Sequence, residues 1–361
     1  MSAYKDEKRN TWFLKFRYKD WTGKTKWVTK RGFSTKREAL QWERTFLAQK
    51  DGSLDMTFSE FTKIYWNDRC PRLKESTVAT KKNIIETKIL PFFGNLRLCD
   101  ITPATVLQWQ NTLLLHRDER TNKPYSKTYL KTVHNQLSAI FNHAVRYYGL
   151  QSNPAQKAGN IGIEEQREML FWTKDEYLKF SHAIMDKPIS FYAFEMLYWC
   201  GIREGELLAL TPADFNLQKH TVTINKTYQR LNRRDLITTP KTPKSNRVIY
   251  MPQFLCDEIQ DYLLQHTDLP ADHRLFPISK HSLHSEMNRG CKLSGVKRIR
   301  IHDLRHSHIS LLIDMGFSAL AIANRVGHEC IDITYRYAHL FPSKQTEMAN
   351  QLDTLRTQKE V

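Results

Sequence analysis

The sequence predicts an α+β fold, predominantly helical, arranged as three successive domains: 1–52, 53–160 and 161–361. Three observations carry this reading. The chain has 361 residues, more than one core of ordinary size needs. Apolar residues alternate with period two only near the N-terminus and in two short later stretches. Elsewhere they recur at helical spacing behind N-capping signals. With 40% hydrophobic and 26% charged residues the composition is that of a globular chain, which argues against a disordered basic tail or a collagen-like repeat.

Residues 1–50 read as a small sheet followed by one helix. Trp12, Leu14, Phe16 and Tyr18 alternate with Phe13, Lys15, Arg17 and Lys19, giving a strand with one apolar and one largely cationic face. Asp20-Trp21-Thr22-Gly23 supplies a turn, and a second strand over 24–31 sets Lys24, Lys26 and Lys30 on one face. Thr35 with Glu38 then opens a helix reaching about Lys50. After a linker at Asp51-Gly52-Ser53, residues 57–149 are helical in pattern. Thr57/Glu60 is a capping box, 76–90 is periodic, and Thr102-Pro103 is an N-cap followed by proline. A long helix over 126–148 ends at Gly149.

A second boundary is expected at 150–170, where Asn153-Pro154 and Gly159-Asn160-Ile161-Gly162 read as linker. Beyond it Thr173/Glu176 caps a helix, an apolar helix covers 190–200, and strands are expected near 222–226 and 247–250. The six cysteines have no paired short spacing and read as small buried hydrophobes. No run approaches the ~18–20 apolar residues of a membrane span, and MSAYKDEKRN has no apolar leader segment, so no membrane partner and a cytoplasmic location are expected.

The formal charge is +17, which points to a polyanionic partner, nucleic acid foremost. Residues 1–50 carry +9, residues 51–160 carry +6, and the rest only +2. Candidate contacts are therefore Lys15, Arg17, Lys19, Lys24, Lys26 and Lys30 on the first sheet. Lys81, Lys82, Lys88, Lys127, Lys131 and Arg146 follow on the helices. In the last region the excess is local, at 226–247 and 292–300.

One constellation stands apart: Arg203 in CGIREGELLAL, Lys241 in TPKTPKSNRVI, His302 and Arg305 in IHDLRHSH, His328 in VGHE and Tyr337 in TYRYAH. Singly, each has an ordinary explanation. Arg203 fits a helix-start ion pair with Glu206, Lys241 a solvated loop, His302 a helix cap, and the remaining histidines buried ring hydrogen bonds. In this order, with these neighbours, they resemble the catalytic residues of the tyrosine recombinase (phage integrase) family. That pattern is G-x-R-x-x-E, a hairpin lysine, H-x-x-R, G-H and a tyrosine nine residues on. The resemblance extends over the chain: 1–52 is similar to an arm-type DNA-binding domain and 53–160 to a helical, SAM-like core-binding domain.

The resemblance implies phosphodiester exchange on double-stranded DNA, at core and arm sites, by a homotetramer. A directionality factor and a host DNA-bending protein are possible further partners. The chemistry suits the residues. A phenol of pKa ~10 needs its phenolate stabilised. Two arginines, Arg203 and Arg305, can fork onto the non-bridging oxygens. Lys241, with Lys244 as the alternative in the same loop, suits a general acid for the departing 5′-oxygen. His302 and His328 belong to the site without separable roles. Tyr335 competes for the nucleophile, but its spacing from His328 favours Tyr337. No metal or cofactor is expected. A type IB topoisomerase, a catalytically inactive DNA-binding relative, a chromosome-dimer resolvase and a metal-dependent phosphohydrolase are the competing classes. The tail 343–358 carries a narrow apolar stripe suited to docking on a neighbouring protomer.

Overall fold

The computed structural model describes residues 3–7, 10–19, 25–50, 55–163, 169–240, 243–328 and 337. By its internal contacts the chain divides into two compact units, Met1–Arg167 and Glu168–Val361.

The first unit begins with β1 (Ala3–Asp6), β2 (Thr11–Lys19) and β3 (Thr25–Phe33), an antiparallel sheet in that order, followed by α1 (Lys36–Lys50). Strand β1 was not expected, since four residues are too few to show an alternation. Trp12 pairs with Phe33 but Phe13 with Arg31, so Gly32 is the extra residue of a bulge, and its φ of +92° is one that glycine adopts without strain. Leu14, Phe16 and Phe33 bury against Ala39 and Trp42 of α1. Glu38 N–H donates to Thr35 Oγ1 at 3.1 Å, as expected, while the Glu38 carboxylate reaches back to Ser34 N–H rather than to Thr35.

The register corrects the single basic face. Directly opposed residues of antiparallel strands point the same way, and Lys30 opposes Leu14 while Lys26 opposes Tyr18. Those two lysines therefore lie at the exposed margin of the helix-covered face. The open face carries Lys15, Arg17 and Arg31 with Phe13 and Trp27. The expected turn at 20–23, Lys24, the Lys19 side chain and the linker 51–53 lie outside the described residues.

Helices α2 (Phe58–Arg69), α3 (Glu75–Ile84), α4 (Leu90–Phe93), α5 (Pro103–Leu115) and α6 (Lys127–Tyr147) form the next layer. The Thr57/Glu60 capping box is present, with both arms closed at 2.8 and 3.2 Å. Thr102 caps α5 with a like box closed by Thr105, and Ser126 caps α6 with its side chain alone, accepting from Tyr129 N–H. Between α3 and α4 the helix widens into a π turn over Ile85–Ile89, ahead of Pro91. Proline has no N–H and its ring crowds the carbonyl four residues back, and the wider turn removes that clash. Phe58, Phe61, Phe93, Trp109 and Phe141 fill the core, each worth up to ~1.5–3 kcal/mol by burial.

The expected linker at 153–162 instead folds onto this bundle. Asn153 caps α7 (Pro154–Ala158) and donates to Ser138 O at 3.0 Å and Asn142 Oδ1 at 2.9 Å on α6. Gln110 Nε2 donates to Gly159 O at 2.7 Å. Gly162 lies so close to α6 that a Cβ there would stand 2.1 Å from Lys131 N.

The second unit runs α8 (Lys174–His182), α9 (Pro188–Cys200), α10 (Glu204–Leu207), β4 (Phe215–Asn216), β5 (Thr221–Ile224), β6 (Thr227–Leu231), β7 (Arg234–Thr238), β8 (Arg247–Tyr250), α11 (Gln253–Leu264), α12 (Lys280–Ser294), α13 (Asp303–Asp314) and α14 (Ala319–Val326). The expected cap at Thr173/Glu176 and strands β5 and β8 are present; the β6–β7 hairpin was not expected. Trp172, Tyr177, Phe180, Phe194, Tyr198 and Phe276 anchor the core. Cys200, Cys256 and Cys291 are buried as expected, but Cys99 of the first unit is exposed and Cys70 half-buried. Among the described residues no helix is long and apolar enough to cross a membrane.

Candidate active site

The site is assembled by turns at helix ends. Helix α9 stops at Gly201, which takes φ +60°; a Cβ there would meet His308 Cδ2 at 2.4 Å, so only glycine fits the turn. The chain re-enters a helix with Arg203 as the N-cap residue of α10. Glu206 accepts from Arg203 N–H at 3.0 Å and from Arg203 NH1 at 2.7 Å. The ordinary expectation for Arg203, an ion pair with Glu206, is thus met, and it is what aims the guanidinium. On its other side Glu206 accepts from Arg247 of β8 at 2.8 Å. Burial raises the Glu206 carboxyl, but bonding and attraction from Arg247, then from Arg203, outweigh it and hold the net pKa below the usual glutamate value.

The C-terminus of α14 supplies the second frame. The last carbonyls of a helix lack intrahelical donors and carry the negative end of its dipole. Here three successive ones each take a guanidinium: Arg325 O from Arg247 Nε at 3.1 Å, Val326 O from Arg305 NH2 at 2.5 Å, and Gly327 O from Arg203 NH2 at 3.4 Å. Arg305, 3% exposed, also donates to Gly201 O at 2.8 Å. Both turns are therefore tied to one arginine. Burial, then Arg203 and Arg247, pulls the Arg305 guanidinium down to about 9, which still leaves it protonated at neutral pH. His328 follows directly, buried, and its imidazole is held down to about 3 by burial and then by Arg305 and Arg203. A cluster that disfavours further positive charge is one that favours an anion.

Helix α13 contributes the remaining groups. His302 occupies its N-cap position without a capping hydrogen bond, so the cap expected of it is absent. Its ring is exposed, yet the surrounding protein and then Arg305 lower its pKa. One turn on, His306 stands edge-to-face with it, ring centroids 5.1 Å apart. Tyr337 is 3% exposed, packs with Ile309, Ile313, Ile322 and Val326, and its hydroxyl contacts His306 Nδ1. His308 is buried, accepts from Arg325 Nε at 3.1 Å, and belongs to the packing beneath the site.

The structure thus brings together Arg203, His302, Arg305, His328 and Tyr337. Lys241 and Tyr335 lie outside the described residues, as does the tail 343–358. Lys244 is exposed, and its carbonyl would stand 2.9 Å from a Cβ on Gly327, so the lysine loop borders the arginine frame. Glu206, Arg247 and His306 were not assigned from the sequence. Arg247 was hidden in a basic stretch, and His306 in a run of three histidines whose helical phase alone separates them. Among the described residues no three His, Cys, Asp or Glu side chains are grouped to hold a metal ion.

Of the helix-borne basic residues, Lys82, Lys127 and Arg146 are exposed and Lys131 is half-buried. Lys81 instead donates to Gln136 at 2.6 Å and Lys88 to Tyr125 at 2.7 Å, so both are half-committed to the bundle. The local excesses at 226–247 and 292–300 are answered in part internally. Lys226 pairs with Asp214 at 2.8 Å and Arg300 with Asp303 at 2.7 Å.

Comparison with known proteins supplies the class. Residues 2–50 match an arm DNA-binding domain, 57–114 the N-terminal SAM-like domain of phage integrases, and 168–344 the phage integrase family itself. These matches define a DNA recombination enzyme. The chain belongs to the phage integrase family of tyrosine recombinases, and its function is site-specific recombination. It is 28% identical to the ICEBs1 integrase of Bacillus subtilis, over 89% of this chain and 91% of that protein. It is 27% identical to a putative prophage phiRv2 integrase of Mycobacterium tuberculosis, over 80% of this chain and 76% of that one. Its fold resembles the Tn1549 transposon integrase in complex with circular intermediate DNA, with TM-score 0.67, 16% identity, and 83% and 99% of the two chains covered. It also resembles a lambda integrase dimer bound to a core site, with TM-score 0.59, 16% identity, and 93% and 94% covered.

Proposed function

We propose that this recombinase integrates and excises a mobile element through a 3′-phosphotyrosyl intermediate, with Tyr337 as nucleophile. The observation that carries the reading is the convergence of Arg203 and Arg305 on the carbonyls of Gly327 and Val326, beside His328 and with Tyr337 packed against the same helix. Two forked guanidiniums of fixed direction match a phosphate whose charge grows in the transition state. Tyr337 attacks phosphorus, the P–O5′ bond breaks, and Lys241 protonates the departing oxygen, with Lys244 the alternative. His302 and His328 hold the non-bridging oxygens. The phosphotyrosine retains the energy of the phosphodiester, so rejoining requires neither ATP nor a metal.

Residues 1–52 bind arm sites, through Lys15, Arg17 and Arg31 in particular, and 53–160 with 161–361 act on core sites. The working assembly is a tetramer on two DNA sites in the cytoplasm, with a directionality factor and a DNA-bending protein as accessory partners. The match of residues 2–50 to an arm-binding domain favours recombination over supercoil relaxation, because bridging two kinds of site suits pairing of DNA partners. The test is incubation with a nicked suicide duplex in a chelator. A covalent adduct is expected, absent from Tyr337→Phe and present in Tyr335→Phe; DNA cleaved but protein-free, or cleavage abolished by chelation, refutes the reading.

A further inference from the structure

We propose that His306 accepts the Tyr337 proton and orients the phenol for attack, an inference that rests on Tyr337 being the nucleophile. His306 Nδ1 contacts the Tyr337 hydroxyl, the two rings tilted at 53° with centroids 5.5 Å apart. The other ring nitrogen, Nε2, faces Asp303 Oδ1 at 3.8 Å, a charge contact too long for a hydrogen bond. Asp303 is fully buried and accepts from Arg300 Nε at 3.0 Å, NH2 at 2.7 Å and backbone N–H at 2.8 Å. A carboxylate fixed on that side favours the tautomer with its proton on Nε2, which leaves Nδ1 as the acceptor aimed at the phenol. The arrangement is a carboxylate, an imidazole and a hydroxyl nucleophile in sequence, the general logic of an activated nucleophile.

The groups facing His306 are His302, Asp303, Arg300, Arg305, His328 and Tyr337. Burial, then His302, brings its pKa down to about 4, against the opposing pull of Asp303, so the ring is neutral at physiological pH. In the forward step the phenol proton passes to Nδ1 as the Tyr337 oxygen bonds to phosphorus. The P–O5′ bond breaks, and the lysine proton goes to the 5′-oxygen. On rejoining, the attacking 5′-hydroxyl returns its proton to the lysine and the imidazolium reprotonates the departing phenolate. Protons and charges balance over the cycle with no further reactant.

The experiment measures adduct formation by the full-length chain on the nicked duplex from about pH 6 to about pH 9, for wild type, His306→Ala, His306→Asn and Tyr337→Phe. Asparagine keeps an acceptor near the Nδ1 position without its basicity. Both His306 variants are expected to be about a hundredfold or more slower at neutral pH. Their rates should rise about tenfold per pH unit as hydroxide ionises the phenol, whereas wild type stays nearly flat. A second duplex with sulfur at the bridging 5′ position has a leaving group that needs no acid. It should rescue Lys241→Ala and leave both His306 variants slow. A uniform loss with a flat profile, a wild-type rate, or rescue by the sulfur substrate each overturns the role of His306. If His306→Ala does not fold, His306→Asn carries the same comparison. An adduct in Tyr337→Phe instead overturns the nucleophile assignment beneath it.

Discussion

The open face of the N-terminal sheet and the arginine cluster of the second unit use the same side chains to opposite physical ends. Lys15, Arg17 and Arg31 are exposed, and Lys15 and Arg31 rest over the Trp27 and Phe13 rings at 5.6 and 5.7 Å. Solvent and salt screen them, so in the proposed arm-site contact each would contribute modestly and adjustably to affinity. Arg305 is buried and the Arg247 side chain is 6% exposed; both are fixed by named carbonyls, Arg247 also by Glu206, and their charge is felt at close range. The first surface can be rebuilt residue by residue; the second acts as a unit. Net charge alone locates only the first, because the catalytic region supplies its own acids, Glu206, Asp214 and Asp303, and its sum is close to neutral.

Four outcomes sharpen this contrast, the largest at Glu206. Glu206→Gln leaves Arg203 and Arg247 without their anion and should cost about 3–5 kcal/mol in chemical denaturation. Because the Glu206 pKa is lowered in the folded chain, its stabilisation is present above the ordinary carboxyl value and is lost as pH falls through the folded one. The gap between wild type and variant should therefore narrow on acidification; a gap that widens contradicts the assignment. Next, Arg305→Lys should slow strand cleavage by about 10²–10³ while core-site affinity changes little, since lysine cannot reach both carbonyls and a phosphate. Equal losses in binding and cleavage would place Arg305 in general attraction instead.

On the exposed face the effects are smaller. Replacing Lys15, Arg17 and Arg31 with glutamine should reduce the slope of log affinity against log salt for arm-site DNA by about 2–3. The same change at Lys26 and Lys30 should move it less, because the register sets them on the other face. A slope governed by Lys26 and Lys30 would reverse that assignment. Smallest, Thr57→Ala and Thr173→Ala should each cost ~1 kcal/mol by opening a capping box, with no change in cleavage chemistry.

Much of this was legible because the signals are local. Caps at Thr57, Thr102 and Thr173 write helix starts into a few residues, and the alternation from Trp12 to Tyr18 writes a strand. The spacing of Arg203, His302, Arg305, His328 and Tyr337 marked the cluster. What failed depends on pairing across distance. The side of the sheet on which Lys26 and Lys30 lie follows from the strand register and the Gly32 bulge. The packing of 153–162 onto α6 depends on Asn153 finding Ser138 and Asn142, which no local pattern shows. Arg247 and His306 gain their contacts only when β8, α13 and α14 meet, so their own neighbours in sequence carried no sign of them.

The most direct check digests the trapped protein–DNA complex with protease and sequences the DNA-linked peptide by mass spectrometry. The account predicts one peptide, joined through the Tyr337 oxygen to a 3′-phosphate, with a free 5′-hydroxyl on the other strand end. A linkage through any other side chain, or to a 5′-phosphate, would contradict it.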